Sequence, residues 1–299
     1  MPTRSPSPTP AEEGAARFRR VARFVEERLA EDLSVEELSR VAAFSKFHFH
    51  RQFAALFGVG VYRYVQLVRL KRASYLLAFR EDRSVLEIAL ETGYESPEAF
   101  CRAFKSRVGQ TPTEFRRSPD WAGWRAAYDL VRRARASAVS YAMHESRVQI
   151  LDFPETRVAV LEHDGDPSRM GESIRRFIAW RKQAGLSPRH SATYNLLYGD
   201  PDDGPPESFR CDLCAATDDE IAPNEAGVAS GVIPAGRCAV LRHVGADEGF
   251  GATLAYLYGE WLPASGERPR DFPLFCRRVR FFPDVPENEA VTDFYLPLE

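Results

Sequence analysis

The sequence predicts a multidomain chain, in which an all-α half with two helix-turn-helix units precedes an α+β half built from two ββαβ repeats. Three observations support this prediction. Apolar residues recur at helical spacing from about residue 15 to 117, short β-type runs begin only after residue 146, and each half repeats itself at its own period. With 299 residues, 44% of them hydrophobic, the chain is long enough for two cores. We expect residues 1–14 to form a disordered tail, 15–117 and 146–299 the two domains, and 118–145 a partly helical connector.

The helices of the first half follow from their apolar spacing and their caps. An apolar stripe predicts the first helix, and it consists of Phe18, Val21, Ala22, Val25 and Leu29. Ser34 and Glu37 are spaced as a capping box that opens the second helix. Further helices are expected at about 45–57, 61–79, 84–92, 97–108 and 112–117.

The helical half repeats itself at a period of 50 to 51 residues. Phe49, Arg51, Phe53 and Gly58 recur as Phe100, Arg102, Phe104 and Gly109. Each unit is therefore a short helix, a tight turn and a longer helix. The two phenylalanines of each longer helix lie four residues apart on a face that must be buried, so the opposite face is left for a partner. That face carries Lys46, Phe47, His50 and Arg51 in the first unit and Glu98, Ala99, Arg102 and Lys105 in the second.

These outward faces are suited to the major groove of double-stranded DNA. In a helix-turn-helix the second helix enters the groove, where arginine can bridge O6 and N7 of guanine. Residues 1–145 hold 24 Lys and Arg against 18 Asp and Glu, whereas residues 146–299 hold 16 against 25, so the helical half has the charge that a polyanion attracts. The helix expected at 61–79 is about 27 Å long. It would separate the two units so that they enter successive grooves, about 34 Å apart.

The second half repeats itself at a period of 80 residues. The run Ala159–Gly165 recurs as Ala239–Gly245, and a helical stretch with an aromatic-rich end, containing Trp180 or Trp261, follows each copy. Two strand-strand-helix-strand units related by a pseudo-twofold axis would form one sheet. The junction of such units is a natural site for a small ligand.

At these residues the chain resembles two families. Residues 15–117 resemble the AraC/XylS transcription regulators through Ile88-Ala89, Thr92–Ser96, Phe100–Lys105, Val108–Pro112 and Phe115-Arg116. Residues 146–299 are similar to the GyrI-like effector-binding domain through Ala239–His243 and Gly259–Pro263, in the domain order of Rob-type regulators. The resemblance implies a cytoplasmic, DNA-binding transcription regulator that responds to a small molecule. By analogy it would be an activator, with RNA polymerase as a further possible partner.

For DNA, the resemblance implies base contacts by Phe47, His50 and Arg51 in the first unit and by Glu98, Ala99 and Arg102 in the second. Phe47 stands where the family usually has tryptophan, and Glu98 with Ala99 replaces a common Gln or Thr pair. Glu98 either accepts from cytosine N4 or is a first-turn acid favoured by the helix dipole. Lys105 is expected to contact phosphate.

For the effector, the resemblance implies a pocket glutamate in segment 272–277 of those relatives that bind lipophilic cations. This chain has Cys276 there, and Cys211 where an aromatic residue is often found. Because a buried cation needs a counter-charge, the departure argues against such a ligand. Two thiols facing one pocket would instead suggest a soft metal, an electrophile or a redox signal, and otherwise we expect a largely apolar effector. The residues expected around it are Cys211, Cys276, Trp180, Tyr194, Tyr258, Trp261 and Phe275. Each aromatic residue is equally compatible with plain core packing.

Two other functions stay open at this point. The second half could hydrolyse or trap a reactive compound, with Cys276 or Cys211 as nucleophile and the DNA module serving autoregulation. Alternatively the sensor could be vestigial. The regulator is preferred over an enzyme because the sequence contains no nucleophile elbow, phosphate loop, HExxH or Rossmann fingerprint.

No cofactor, metal or catalytic residue is predicted. The Cys211–Cys214 pair lacks a second CxxC, and on a strand its odd spacing would point the thiols to opposite faces. The five cysteines are too sparse for a disulfide framework, and we expect them to be reduced. His163 and His243, at matching strand ends of the repeat, are expected to be structural. Because no run of eighteen apolar residues and no secretory signal occurs, a membrane partner is not expected.

Overall fold

The computed structural model describes residues 10–125, 128, 148–199, 207 and 209–299. The chain divides into two compact units, Met1–His144 and Glu145–Glu299. None of the helices that the structure describes has the length and apolar character to cross a bilayer.

The described part of the first unit is all-α. Its helices are α1 (Pro10–Glu27), α2 (Val35–Val41), α3 (Lys46–Phe57), α4 (Val61–Phe79), α5 (Val85–Glu91), α6 (Pro97–Val108) and α7 (Pro112–Arg117). Serine or threonine caps the N-terminus of most of them, as the sequence predicts. A reciprocal capping box closes at Ser84 and Thr111, whereas at Ser34 only the serine half of the expected box is formed.

Helix α1 begins earlier than the sequence suggested. It starts at Pro10, so residues 10–14 are helical and the expected disordered tail is wrong for them; residues 1–9 lie outside the described residues. The physical reason is visible in the sequence. Proline is tolerated in the first helical turn, where its missing N–H would have no intrahelical partner.

An aromatic core fills the first unit. Phe18 of α1 packs against Phe49, Phe53 and Phe57 of α3, with ring centroids 6.0 to 6.4 Å apart. In the second helix-turn-helix, Phe104 of α6 packs on Phe115 of α7 at 5.4 Å. Most of α4 is buried, including both apolar and small residues.

The start of the expected connector belongs to this core. Trp121, Trp124 and Tyr128 are 9%, 8% and 4% exposed. The indole nitrogen of Trp124 donates to the Ser74 hydroxyl at 2.9 Å, and Trp121 stacks on Phe79 at 5.7 Å. The connector interpretation is therefore wrong for these three residues, because their large apolar rings are buried against α4. Residues 129–145 lie outside the described residues.

The second unit is built on an antiparallel sheet. Its strands are β1 (Gln149–Phe153), β2 (Thr156–Asp164), β3 (Thr193–Leu197), β4 (Arg210–Ala216), β5 (Ala229–Ile233), β6 (Gly236–Val244), β7 (Leu274–Arg280) and β8 (Val291–Pro297). The order across the sheet is β1-β6-β8-β7-β3-β4-β2-β5. Exchanging β1–β4 with β5–β8 gives the same order read from the opposite edge of the sheet. Each half has the pattern ββαββ, one strand more than expected, because β4 and β8 are buried on both faces and show no alternation.

Helices cover one face of this sheet. Helix α8 (Met170–Gln183) packs on β2 and β4, and α9 (Phe250–Tyr256) packs on β6. Helix α9 widens into a π-turn at Leu257–Trp261 and ends as α10 (Leu262–Ser265). Each helical layer has its own apolar cluster with the strands below it, and a third cluster fills the opposite face of the sheet.

Candidate nucleic-acid interface and effector cleft

The two helix-turn-helix units close their turns with left-handed backbone at equivalent positions. Ala43 between α2 and α3 has φ 54°, and Gly93 between α5 and α6 has φ 76°. After each turn a serine caps the longer helix: Ser45 accepts from the His48 N–H at 3.5 Å and Ser96 from the Ala99 N–H at 3.2 Å. The same local geometry therefore sets up α3 and α6.

The faces of α3 and α6 are divided as the repeat predicts. Phe49 and Phe53, like Phe100 and Phe104, are fully buried. The opposite faces expose Lys46, His50 and Arg51 on α3 and Glu98, Arg102 and Lys105 on α6, with Ala99 half-buried. The side chain of Phe47 lies outside the described residues. Neither Arg51 nor Arg102 is taken into the core.

Two acidic groups modify these surfaces. The Lys46 ammonium lies 2.7 Å from a Glu36 carboxylate oxygen, and this hydrogen bond holds the pKa of Glu36 below its usual value. The pKa of Glu98 is also lowered, first by hydrogen bonding to its own backbone N–H and then by Ser96, with a smaller effect of Arg102. Glu98 thus acts as an ionised first-turn acid at the start of α6, which agrees with the helix-dipole interpretation.

Helix α4 connects the two helix-turn-helix units of the first half through arginines that the sequence did not single out. Arg69 donates from Nε to the Leu29 carbonyl at 3.0 Å and from its terminal nitrogen to the Glu31 carbonyl at 2.7 Å. A Cβ at Gly93 would collide with that same Leu29 carbonyl and with the Arg69 guanidinium. Arg69 therefore holds the residues that follow α1 against the turn between α5 and α6. This is the turn in which Gly93 is required.

A second link to α4 is an ion pair. Arg72 binds Glu91 at the end of α5 at 2.7 Å, and both side chains are mostly buried. Sequence alone gave no signal for these roles, because arginines in a long helix are usually solvated. Their partners lie 19 to 40 residues away in the chain.

In the second unit, the sheet separates the residues expected around an effector. Tyr194 and Phe275 belong to the cluster on the face opposite the described helices, where Phe275 stacks on Tyr295 at 4.9 Å. Cys276 belongs to the cluster under α9, with Trp261 packed against it. Trp180 packs in the cluster under α8. Since neighbouring strand residues point to opposite faces, the seven residues do not line one surface.

The two thiols lie on the helix-covered side but are neither exposed nor paired. Cys211 and Cys276 are 5% and 2% exposed, and burial raises the pKa of each to about 12. They sit on β4 and β7, with β3 between these strands, so their backbones are about 9.6 Å apart or more. A disulfide requires less than about 7 Å between Cα atoms. Cys214 belongs to the cluster of the opposite face, as the odd spacing predicts.

Two histidines clamp the helices to the sheet in matching ways. His163 Nδ1 lies 2.9 Å from the Ser173 hydroxyl, and His243 Nδ1 lies 2.8 Å from that of Thr253. The Nε2 atoms contact the carbonyls of Asp166 and Ala246 at 3.3 and 3.1 Å. Both imidazoles are buried and fully engaged with α8 or α9, which is a structural role.

Between the two helical layers, the central strands form the floor of a candidate cleft. On the helix side, β3 contributes Asn195 and Leu197, and β7 contributes Cys276 and Arg278. Asn195, Leu197 and Arg278 stay partly exposed, so the helices do not cover the centre completely. We refer to this surface, defined by these four residues, as the central cleft.

The π-turn places two of the expected aromatic residues above the second repeat. The Leu262 N–H donates to the Leu257 carbonyl, which widens the helix by one residue. Pro263 explains this, because its ring would clash with the Gly259 carbonyl in a regular α-helix. Trp261 is half-buried there, and Tyr258 is 42% exposed.

Known proteins match the two units separately. Residues 146–299 match the GyrI-like small molecule binding domain, and residues 38–118 match a helix-turn-helix domain. The probable transcriptional regulator YgiV of Escherichia coli is 40% identical over 152 residues, which is 50% of this chain and 95% of that protein. The right origin-binding protein of Escherichia coli is 34% identical over 101 residues, 34% of this chain and 35% of that protein. The crystal structure of the EcmrR C-terminal domain is 16% identical with a TM-score of 0.42, covering 52% of this chain and 98% of that one.

Proposed function

The chain belongs to the family of the GyrI-like small molecule binding domain, and we propose that it is a transcription regulator that binds specific DNA through its first unit and a small effector through its second. One observation carries the DNA-binding part. Arg51 and Arg102 stand at equivalent positions on the exposed faces of α3 and α6, opposite phenylalanines that are fully buried. The helix-turn-helix match and the name of one relative, the probable transcriptional regulator YgiV, support the same function.

We propose different tasks for different side chains. Arginine in a major groove can donate two hydrogen bonds to one guanine, which discriminates bases, whereas lysine neutralises phosphate without reading sequence. Arg51 and Arg102 are therefore proposed to read two segments of one site, with His50 and Ala99 beside them. Lys46 and Lys105 are proposed to contact phosphates.

The second unit is proposed to bind the effector in the central cleft. The half-buried Trp180 and Trp261, together with Tyr258, offer apolar walls from α8 and the π-turn. Effector binding would then change promoter occupancy or a contact to RNA polymerase, most simply in the cytoplasm and as an activator. Tyr194 and Phe275 are left out of this proposal, because they pack in the core of the opposite face.

A thiol nucleophile is not supported by the geometry of the second unit. At a pKa of about 12, Cys211 and Cys276 hold almost no thiolate at neutral pH, and little solvent reaches them. We therefore propose regulation rather than catalysis. Incubation with an alkylating electrophile, followed by mass spectrometry of the folded chain, is expected to leave both thiols unmodified. Rapid adduct formation on either thiol would favour the alternative that the second unit traps a reactive compound.

The DNA-binding part is tested by footprinting on a selected binding site. Replacing Arg51 or Arg102 by alanine is expected to cost about 1–3 kcal/mol of base discrimination, each at a different half-site. Lys105→Ala is the control: it should weaken binding on all sequences and reduce the slope of log affinity against log salt by about 0.9. Unchanged half-site preferences in both arginine variants would refute the assignment.

A further inference from the structure

The central cleft contains a positive charge where an acid would be needed for a cationic ligand. Arg278 lies two residues after Cys276 on β7, on the same face of the sheet. Its guanidinium is within electrostatic reach of both buried thiols, Cys211 and Cys276. The side chain is mostly buried, with 16% of its surface exposed.

The contacts of Arg278 bring it to the start of α9. One terminal nitrogen lies 3.0 Å from each carboxylate oxygen of Asp247, and the guanidinium carbon lies 5.4 Å from the centroid of the Phe250 ring. Asp247 belongs to the 3₁₀ turn that leads into α9, and its side chain is 56% exposed. The pair is thus a mostly buried cation held by a mostly solvated anion.

Another acid near the thiols faces away from the cleft. Asp212 is close enough to act on Cys211, but its side chain accepts a 2.7 Å hydrogen bond from the Tyr198 hydroxyl. Its position on β4 alternates with Cys211, so it points to the other face of the sheet. It is therefore not available as a counter-charge for a ligand in the central cleft.

Resting on the proposed function, we infer that the effector is a small amphipathic anion, such as an aromatic carboxylate, whose acid group binds Arg278 in exchange for Asp247. Asp247 is a weak competitor, because an ion pair with one solvated partner contributes little. A ligand that places its acid on Arg278 also buries apolar surface against Phe250, whose ring lies beside the guanidinium, which gives it an advantage over Asp247. Displacing Asp247 frees the turn that opens α9, so binding would act directly on that end of the helix.

The test uses two probes with the same ring and opposite charge, 2-naphthoate and (naphthalen-2-yl)methylammonium, titrated calorimetrically into the full chain. Wild type is expected to bind the naphthoate more tightly than the ammonium. Arg278→Gln should weaken naphthoate binding about tenfold or more, the effect of losing a charged hydrogen bond. Asp247→Asn should tighten it about two- to fivefold, because a charged competitor for the guanidinium is removed.

The neighbouring arginine provides the matched control. Arg277 lies one position earlier on β7, is exposed and faces the other side of the sheet, so Arg277→Gln should leave naphthoate affinity unchanged. A misfolded variant cannot produce the gain expected of Asp247→Asn. The inference is overturned if wild type does not bind naphthoate, if the ammonium binds as tightly, or if the Arg277 and Arg278 variants behave alike. Footprinting of the same samples reports on DNA binding separately, so a failure of the regulator function is recognised independently.

Discussion

At the scale of single residues, the two helix-turn-helix turns share a left-handed backbone but differ in the residue that adopts it. Ala43 adopts φ 54°, a left-handed conformation that costs a residue with a Cβ about 1 kcal/mol or more. The equivalent position of the second turn is Gly93. We predict that Ala43→Gly raises the free energy of unfolding of the first unit by about 0.5–1 kcal/mol. Urea unfolding followed by helical circular dichroism measures this.

The reverse substitution at Gly93 is the counterpart. Gly93→Ala adds the same angular strain and also a collision with the Leu29 carbonyl, so it should destabilise by more than Ala43→Gly stabilises. Equal and opposite effects at the two positions would mean that the close packing against Leu29 and Arg69 has no energetic weight.

A second residue-scale prediction concerns His243 and pH. Burial is the largest cause that lowers its pKa below 6.5, opposed by the Ala246 carbonyl and by Asp247, while Arg278 lowers it further. The unfolded chain therefore takes up this proton at a higher pH than the folded chain does. The resulting stability is complete above about pH 6.5 and is lost as the pH falls towards the lowered value.

His243→Gln removes this contribution, so its unfolding free energy should fall less than that of wild type between about pH 8 and pH 5. His163→Gln, which alters the matching clamp on α8, controls for loss of the hydrogen bond to the helix. Parallel pH profiles for wild type and His243→Gln would contradict the assignment.

The sequence allowed some residues to be placed correctly and not others, for a physical reason. Arg51 and Arg102 were located by the 50-residue repeat, because a helix with two buried phenylalanines must expose the residues opposite them. Arg69 and Arg278 act through partners distant in the chain, which a local pattern does not reveal. Strand alternation from Cys276 would have placed Arg278 on the same face, but not beside Asp247.

At the scale of elements, the helical half was predicted well because its caps are local. Each repeat of the second half has one strand more than expected. Its last strand, β4 or β8, is buried on both faces, which removes the alternation that marks a strand in a sequence. The segment at Trp121 shows a different limit. Trp121, Trp124 and Tyr128 have the i, i+3, i+7 spacing of one helix face, but only the packing on α4 shows that this face belongs to the core of the first domain.

The bond between Ser74 and Trp124 provides a test of that packing. Ser74 is fully buried in α4, donates to the Leu70 carbonyl at 2.8 Å and accepts from the indole of Trp124. Ser74→Ala leaves the buried indole N–H unpaired and should cost about 1–3 kcal/mol. In a Trp124→Phe background the same change should cost about 1 kcal/mol less, since no N–H is left without a partner.

Ser39 provides the control for this cycle. It is a buried serine in α2 that donates to the Glu36 carbonyl at 3.0 Å. Ser39→Ala and Trp124→Phe should therefore be additive in urea unfolding. A coupling energy near zero for Ser74 and Trp124 would argue that Trp124 does not belong to the core of the first unit.

At the scale of the whole molecule, the charge of the two halves of the sequence indicates their different functions. The basic excess of residues 1–145 and the acidic excess of residues 146–299 separate a surface for a polyanion from a domain that a polyanion does not attract. The chemistry of the effector could not be predicted in the same way. It depends on which side chains meet between the two helical layers, and therefore on the register of β3 and β7.

If the two units form one regulator, their ligands must be coupled, and coupling of binding free energies is reciprocal. We predict that saturating 2-naphthoate changes the DNA dissociation constant by some factor between about 5 and 150, and that saturating DNA changes the naphthoate dissociation constant by the same factor. Both are measured at one salt concentration, because DNA affinity depends steeply on salt. In Arg278→Gln, the same change in DNA affinity should require about ten times more naphthoate, while the DNA affinity without naphthoate stays at the wild-type value. A factor of one in both directions, with both ligands bound, would show that the second unit does not control the occupancy of DNA by the first.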